Sequence, residues 1–408
     1  MFQQNRRKHY TQAFLFALIG LFGIVGQTWA LSFVYVANAN GTVSAYSIAA
    51  GTGALTQVAG SPFTAGITSS SVTVSPNGAF AYVANASGIG SVSAYTINAS
   101  TGALTEVTGS PFTTGGPVPI SVTVSPNGAF AYVANNGGGV SAFTIAAGTG
   151  ALTPVAGSPF TTGVNPRSVT VSPNGAFAYV ANSSGIGSVS AYTINASTGA
   201  LTPVTGSPFT AGSGPRSVTV SPSGAFAYVA NGGGGVSVYT INASTGALTQ
   251  VAGSPFSIGS NSNSVTISPN GAFAFVANNN GVSAHAINAS TGALTPVTGS
   301  PFTAGTLPNS VTVSPNGAFV YVTNLYSSSV SIYSIAAGTG FLTPIAGSPF
   351  VEPSPASIAF TPDLVPAPAP AVVAIPTLSP MGFILLALAL IVAVAVQRRR
   401  ILTGRTGQ

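Results

Sequence analysis

The sequence predicts an all-β fold, a seven-bladed β-propeller closed by a C-terminal innermost strand, and three observations predict it. Ser-Pro-Phe recurs at Ser61, Ser110, Ser158, Ser207, Ser254, Ser300 and Ser348, spaced 46 to 49 residues apart. Each unit carries four short runs rich in Val, Thr, Tyr and Phe, separated by turn residues, which is the pattern of one blade. The array also begins one strand short and ends one strand long.

A full unit shows why each run is a strand. Ser168-Val-Thr-Val-Ser172 is followed by Pro-Asn-Gly, then Ala176-Phe-Ala-Tyr-Val-Ala-Asn182, a variable loop, Val189-Ser-Ala-Tyr-Thr-Ile194, Asn-Ala-Ser-Thr-Gly, and Ala200-Leu-Thr-Pro-Val204. We name the four strands A to D from the axis outward. Pro-Asn-Gly suits a tight A–B turn because Gly and Asn tolerate left-handed backbone, and Ala-Ser-Thr-Gly does the same between C and D. Pro154, Pro203, Pro296 and Pro344 fall on strand D. Proline lacks the N–H that a central strand must donate, so D belongs at the outer rim.

Blade number follows from the ends of the array. The first unit starts at strand B, Phe33-Val-Tyr-Val-Ala37, with no strand A before it. The last is followed by an orphan, Ser357-Ile-Ala-Phe-Thr361-Pro362, that matches strand A alone. Joined, they make one blade, close the ring and remove the open edges. An open solenoid would leave this complementarity unexplained.

Charge is scarce and sits at the ends. Only 3% of residues are charged and the net charge is +6, against roughly 25% charged in an ordinary soluble protein. Arg6, Arg7 and Lys8 open the chain and Arg398, Arg399, Arg400 and Arg405 close it; between them lie only Arg167, Arg216, Glu106, Glu352 and Asp363. No basic patch is available to neutralise phosphates, which argues against nucleic acid as a partner. With no cysteine there is neither a disulfide framework nor a thiolate site.

The two ends read as addresses. Arg6-Arg7-Lys8, the apolar run Ala13 to Val25 and the small residue Ala30 give residues 1–30 the form of a secretory signal helix, with Leu31 as the mature start. An uncleaved anchor is the alternative. The propeller then spans 31–362 and a Pro/Ala-rich linker 363–374. Residues 375–408 comprise Ile375-Pro376-Thr377-Leu378-Ser379, the apolar run Gly382 to Val396 and a basic tail, expected to form a transmembrane helix with the arginines inside and the propeller outside. This tail resembles the IPTL-type C-terminal sorting signal of Gram-negative bacteria, with Pro380-Met381 where that family usually has Glu-Trp. The resemblance implies an exosortase-like protease as partner and delivery to the cell envelope, on the membrane or the cell surface.

The repeats resemble a known group as well. Tyr82-Val83-Ala84-Asn85, Thr101-Gly102-Ala103-Leu104-Thr105 and Gly109-Ser110-Pro111-Phe112 look like the YVTN and lactonase-like propeller family, and the likeness spans about 31–362. That family includes 6-phosphogluconolactonase-like and muconate-cyclising enzymes beside many surface proteins. Its enzymatic members are expected to place acidic, basic or His residues at the channel mouth, and this chain offers few. Acid–base chemistry needs a titratable group within reach of the substrate, and metal sites need clustered His, Asp or Glu. Glu106 falls on rim strand D, Glu352 and Asp363 flank the closing strand, and His285 replaces the strand C aromatic seen as Tyr95, Phe143, Tyr192, Tyr239 and Tyr333. No catalytic residue, metal site or cofactor is therefore assigned.

Variation between repeats locates the expected binding face. The A–B and C–D turns hardly change, whereas the B–C loops and D–A links differ in every unit, and in an antiparallel blade those two share one end. Loops on a rigid scaffold are the usual place for binding residues. The residue before strand A gives a ring of Ser70, Ile120, Arg167, Arg216, Asn263, Asn309 and Ala356. Arg167 and Arg216 are neighbours in it, and paired guanidiniums suit an anion or carboxylate. The ligand-binding set is thus Arg167, Arg216, Asn263 and Asn309; chance arginines at loop ends are the alternative. The leading expectation is a surface-anchored binding or display module contacting a polymer or protein, with a lactonase-like hydrolase or a structural coat protein as alternatives. Asn98, Asn195, Asn242 and Asn288 match a glycosylation triplet but sit where turns want Asn.

Overall fold

The computed structural model describes residues 32–362. Seven antiparallel sheets follow one another, each with strand A innermost and D outermost. In the fourth blade these are Pro166–Val171, Phe177–Asn182, Ser188–Ile194 and Leu201–Pro203. Strand D pairs with C alone, so its prolines occupy an edge as the sequence demands. Among the described residues no helix is long and apolar enough to cross a membrane. The signal segment, Asp363, the linker and the sorting-signal residues Ile375 to Ser379 and Gly382 lie outside the described residues.

The ring closes as expected. Pro355–Phe360 pairs antiparallel with Phe33–Asn38, aligning Val36 with Ile358. Thr361 and Phe33 exchange bonds of 2.9 Å, the Thr361 N–H donating to the Phe33 carbonyl and the Phe33 N–H to Thr361 Oγ1.

The core lies between blades rather than within one layer. Strand B is buried on both faces throughout, and period-two alternation sends its side chains opposite ways. Phe33 and Tyr35 pack with Val83, Tyr95 and Leu104 of the following blade, while Val34 and Val36 pack with Tyr321 and Ile332 of the preceding one. The strand B tyrosine then donates to the carbonyl of a C–D turn glycine one blade on: Tyr35 to Gly102, Tyr179 to Gly246, and across the seam Tyr321 to Gly53 at 2.8 Å. That glycine is required. Gly102 has φ +73°, and a Cβ there would stand 2.3 Å from the Phe33 ring.

One element was not foreseen. Beyond strand D the chain turns at Ser-Pro, and the following Phe pairs with the start of strand C, as Phe63 does with Val43. The rim strand is thus broken in two, which strands one strand C amide between the halves. The motif's serine accepts it: Ala45 N–H donates to Ser61 Oγ at 2.9 Å, and the same bond recurs in every blade. A turn motif repeated in every blade therefore satisfies a rim amide that would otherwise lack an acceptor.

Candidate functional site

Strand A starts with an irregularity that builds the site. In the fourth blade Pro166 pairs with Asn182 but Ser168 pairs with Ala181, so Arg167 is the extra residue of a β-bulge. The same shift frees Ser70, Ile120, Arg216, Asn309 and, in the closing strand, Ala356. A bulge re-aims a side chain that a regular ladder would send to a packed face. Consequently the bulge residue and the serine after it both line a cavity of about 200 Å³ around the axis, at the D–A end of the blades.

All seven ring positions expected from the sequence line this cavity, Arg167, Arg216, Asn263 and Asn309 among them. Arg216 donates through Nη1 to Asn263 Oδ1. Asn263 Nδ2 donates to the Pro308 carbonyl at 2.8 Å and Asn309 Nδ2 to the Ala356 carbonyl at 2.7 Å. Four neighbouring blades are thereby tied in an arc, and Asn263 is buried. A glycine makes room for Arg216: a Cβ on Gly232 would stand 2.6 Å from its Nε. Arg167 is exposed and held only by a long contact of 3.4 Å from Nε to Ser183 Oγ.

Burial, and then the positive charge of Arg167, lower the pKa of the Arg216 guanidinium. The two cations therefore repel one another across the cavity. The carboxylates among the described residues are Glu106, exposed on rim strand D, and Glu352, buried at the seam with Tyr46, and neither lines the cavity. An anion entering here meets two guanidiniums that no carboxylate among the described residues neutralises.

A second ring lies beside the first and was missed. Ser71, Ser121, Ser168, Ser217, Ser264, Ser310 and Ser357 also line the cavity. Strand A is the inner edge of each sheet, so its outward amides need partners. Val122 N–H donates to Ser71 Oγ at 3.2 Å and Val218 N–H to Ser168 Oγ at 3.2 Å, each bond joining successive blades. Ser71, Ser121, Ser168, Ser217, Ser264 and Ser357 each accept such an amide. Their signal in the sequence was an invariant serine opening each strand A, readable only as strand edge without the closed ring.

Other singled-out residues play structural parts. His285 is buried with Nδ1 unpaired among the described residues, and burial pushes its pKa down to about 4. It packs, as expected. Asn98 Oδ1 accepts the amides of Ser100 and Thr101 at 3.0 Å, so its side chain serves the turn; Asn195, Asn242 and Asn288 do likewise. No cluster of three or more His, Cys, Asp or Glu side chains able to hold a metal occurs among the described residues.

Comparison with solved structures gives the same architecture. A periplasmic gluconolactonase of Pseudomonas aeruginosa is 22% identical, with a TM-score of 0.68 over 81% of this chain and 99% of that one. Candidate 6-phosphogluconolactonases of Bacteroides uniformis and Bacteroides fragilis are 21% and 22% identical, each with a TM-score of 0.70, covering 81% and 82% of this chain and 99% of each of theirs. At such identity the likeness shows the fold. Comparison with curated proteins gives no match. The family model described as lactonase, seven-bladed β-propeller, matches residues 34–360, and the chain belongs to that lactonase family.

Proposed function

We propose that this chain is a lactonase-like hydrolase that opens a cyclic ester at the channel mouth, with Arg167 and Arg216 facing the oxygen that becomes negative. The observation that carries the reading is the pair of neighbouring guanidiniums without a carboxylate partner in a hydroxyl-lined cavity. Water adds to the lactone carbonyl carbon, the ring C–O bond breaks, the ring oxygen leaves as a hydroxyl, and one proton is released as the acid ionises. Donors aimed at the developing oxyanion lower that barrier, one such donor being worth roughly a hundredfold or more in kcat. Membership of the lactonase family favours this over the display module that the sequence put first.

Among the described residues no Asp, Glu or His lines the cavity, so the proton leaves through the open mouth to solvent. The pH–rate profile should therefore rise with hydroxide and show no inflection from a protein carboxylate or imidazole. The decisive measurement is hydrolysis of glucono-δ-lactone by the full-length chain, followed by acid release. Arg167→Ala/Arg216→Ala should cut kcat/KM about a hundredfold; turnover indifferent to that change would sink the assignment.

The missing base favours one second reading, a propeller that binds a sugar acid without turning over its lactone. Saturable gluconate binding with hydrolysis at the spontaneous rate would select it. Export, envelope anchoring through residues 375–408, processing by an exosortase-like protease, and a surface polymer or protein partner belong to our proposal too. They are supported by the order of the two address segments. The described chain begins at strand B and ends at strand A, both on the A–B turn face.

A further inference from the structure

The face around the cavity mouth is not uniform. Ile67, Ile89, Val118, Val164 and Ile186 are exposed there, from 38% to 81%. Isolated exposed aliphatics are ordinary, but a contiguous group marks a contact surface. These five follow one another across three successive junctions. The loop bearing Ile89 is bonded to the link bearing Ile67, Ala86 N–H donating to the Thr68 carbonyl at 3.0 Å. Gly90, beside Ile89, lies against the link to Ile120, where a Cβ would stand 2.5 Å from the Gly116 carbonyl oxygen. Asn136 N–H donates to the Val118 carbonyl, and Ser184 N–H to the Val164 carbonyl of the link that leads to Arg167. The next two junctions are different. They present Ser213, Gly214 and Gly232 to Gly234, then Ser260, Asn261 and Asn279. The arginine pair stands at the boundary of the aliphatic and polar arcs.

The backbone two residues before each ring position is left-handed around the molecule, at Thr68, Val118, Asn165, Asn261, Leu307 and Ser354. Val118 has φ +51°, a left-handed conformation that a β-branched residue adopts only when its surroundings impose it. The turn holds an apolar side chain out at the mouth, two residues before Ile120 of the cavity wall.

We infer that the preferred ligand of this site is a single-chain anionic amphiphile, a hydroxy acid or its lactone carrying an alkyl chain, with the head at Arg167 and Arg216 and the chain across Ile67, Val118, Val164 and the two loop isoleucines. This rests on the arginine cavity proposed above and adds the substrate class. A bare sugar acid would leave the aliphatic arc in water, whereas an uncharged hydrocarbon would leave the guanidiniums unmatched.

A series of straight-chain carboxylates, acetate, butanoate, hexanoate and octanoate, titrated calorimetrically into the full-length chain tests it. Affinity should tighten about twofold per added methylene, the value for covering half of each CH₂. Ile67→Ser/Val164→Ser/Ile186→Ser should bring octanoate down to the level of acetate, with the thermal midpoint checked to confirm folding. A flat series that still responds to Arg167→Ala/Arg216→Ala overturns the inference and leaves the anion cavity standing. A chain-length effect that survives the serine variant overturns it too, by placing the contact elsewhere. Indifference of every acid to the arginine variant removes the cavity reading and this inference together.

Discussion

On one face of the propeller the A–B and C–D turns repeat almost letter for letter; on the other the B–C loops and D–A links differ from blade to blade. The repeated face is occupied by its own residues. Its glycine meets the preceding blade's phenylalanine, its carbonyl receives that blade's tyrosine, and its asparagines accept the turn amides. The changeable face leaves aliphatic tips exposed and two guanidiniums with no carboxylate partner among the described residues. Uniformity marks where the chain binds itself, and diversity marks where it can bind something else.

That contrast can be broken at the turns first. Gly102→Val combines a left-handed φ with a Cβ pressed into Phe33, so the denaturation midpoint should fall by the equivalent of about 3 kcal/mol. A change below about 1 kcal/mol would mean the interblade packing is looser than described.

Acid should act nearly as strongly, through the blade that departs from the aromatic pattern. Burial lowers the His285 pKa to about 4 from 6.5, so the unfolded chain binds the proton more readily than the folded one. Stability held by the neutral ring is complete above pH 6.5 and drains away as pH falls toward 4, by about 3 kcal/mol in all. Urea midpoints of wild type and His285→Phe, compared at pH 7 and pH 4.5, should converge at the higher pH and separate at the lower. Parallel pH dependence of the two would contradict the burial.

A smaller effect is expected from the ring of tyrosines. Tyr179→Phe orphans the Gly246 carbonyl and should cost about 1 kcal/mol. The protein tolerates one such absence already, since Phe275 stands at this position in the sixth blade. Smallest of all, Ser260→Ala on an exposed changeable link should move stability by less than about 0.5 kcal/mol. If it moved stability as much as Tyr179→Phe, the division between faces would fail.

The four-stranded unit, the seven blades and the closing partnership were all legible from spacing, turn residues and one misplaced strand. So was membership of the ring: Arg167, Arg216, Asn263 and Asn309 were named as channel residues from their position before strand A. The serine function in Ser-Pro-Phe was not legible, because the amide it accepts exists only once the rim strand breaks. Glu352 was read as a flanking charge; its bond to Tyr46 replaces a backbone acceptor used elsewhere, and only the seam brings them together.

Local chemistry by itself therefore determined the repeating sheet and its circular arrangement, because turn propensity and period-two alternation are properties of a few adjacent residues. What the tertiary structure alone decided is the direction in which strand A's first residues point. A bulge is defined by the register of the neighbouring strand, so no reading of one segment could show that both Arg167 and Ser168 face the axis. Nor could it show that seven such pairs share one cavity, since that depends on closure over more than 300 residues of separation between Phe33 and Thr361.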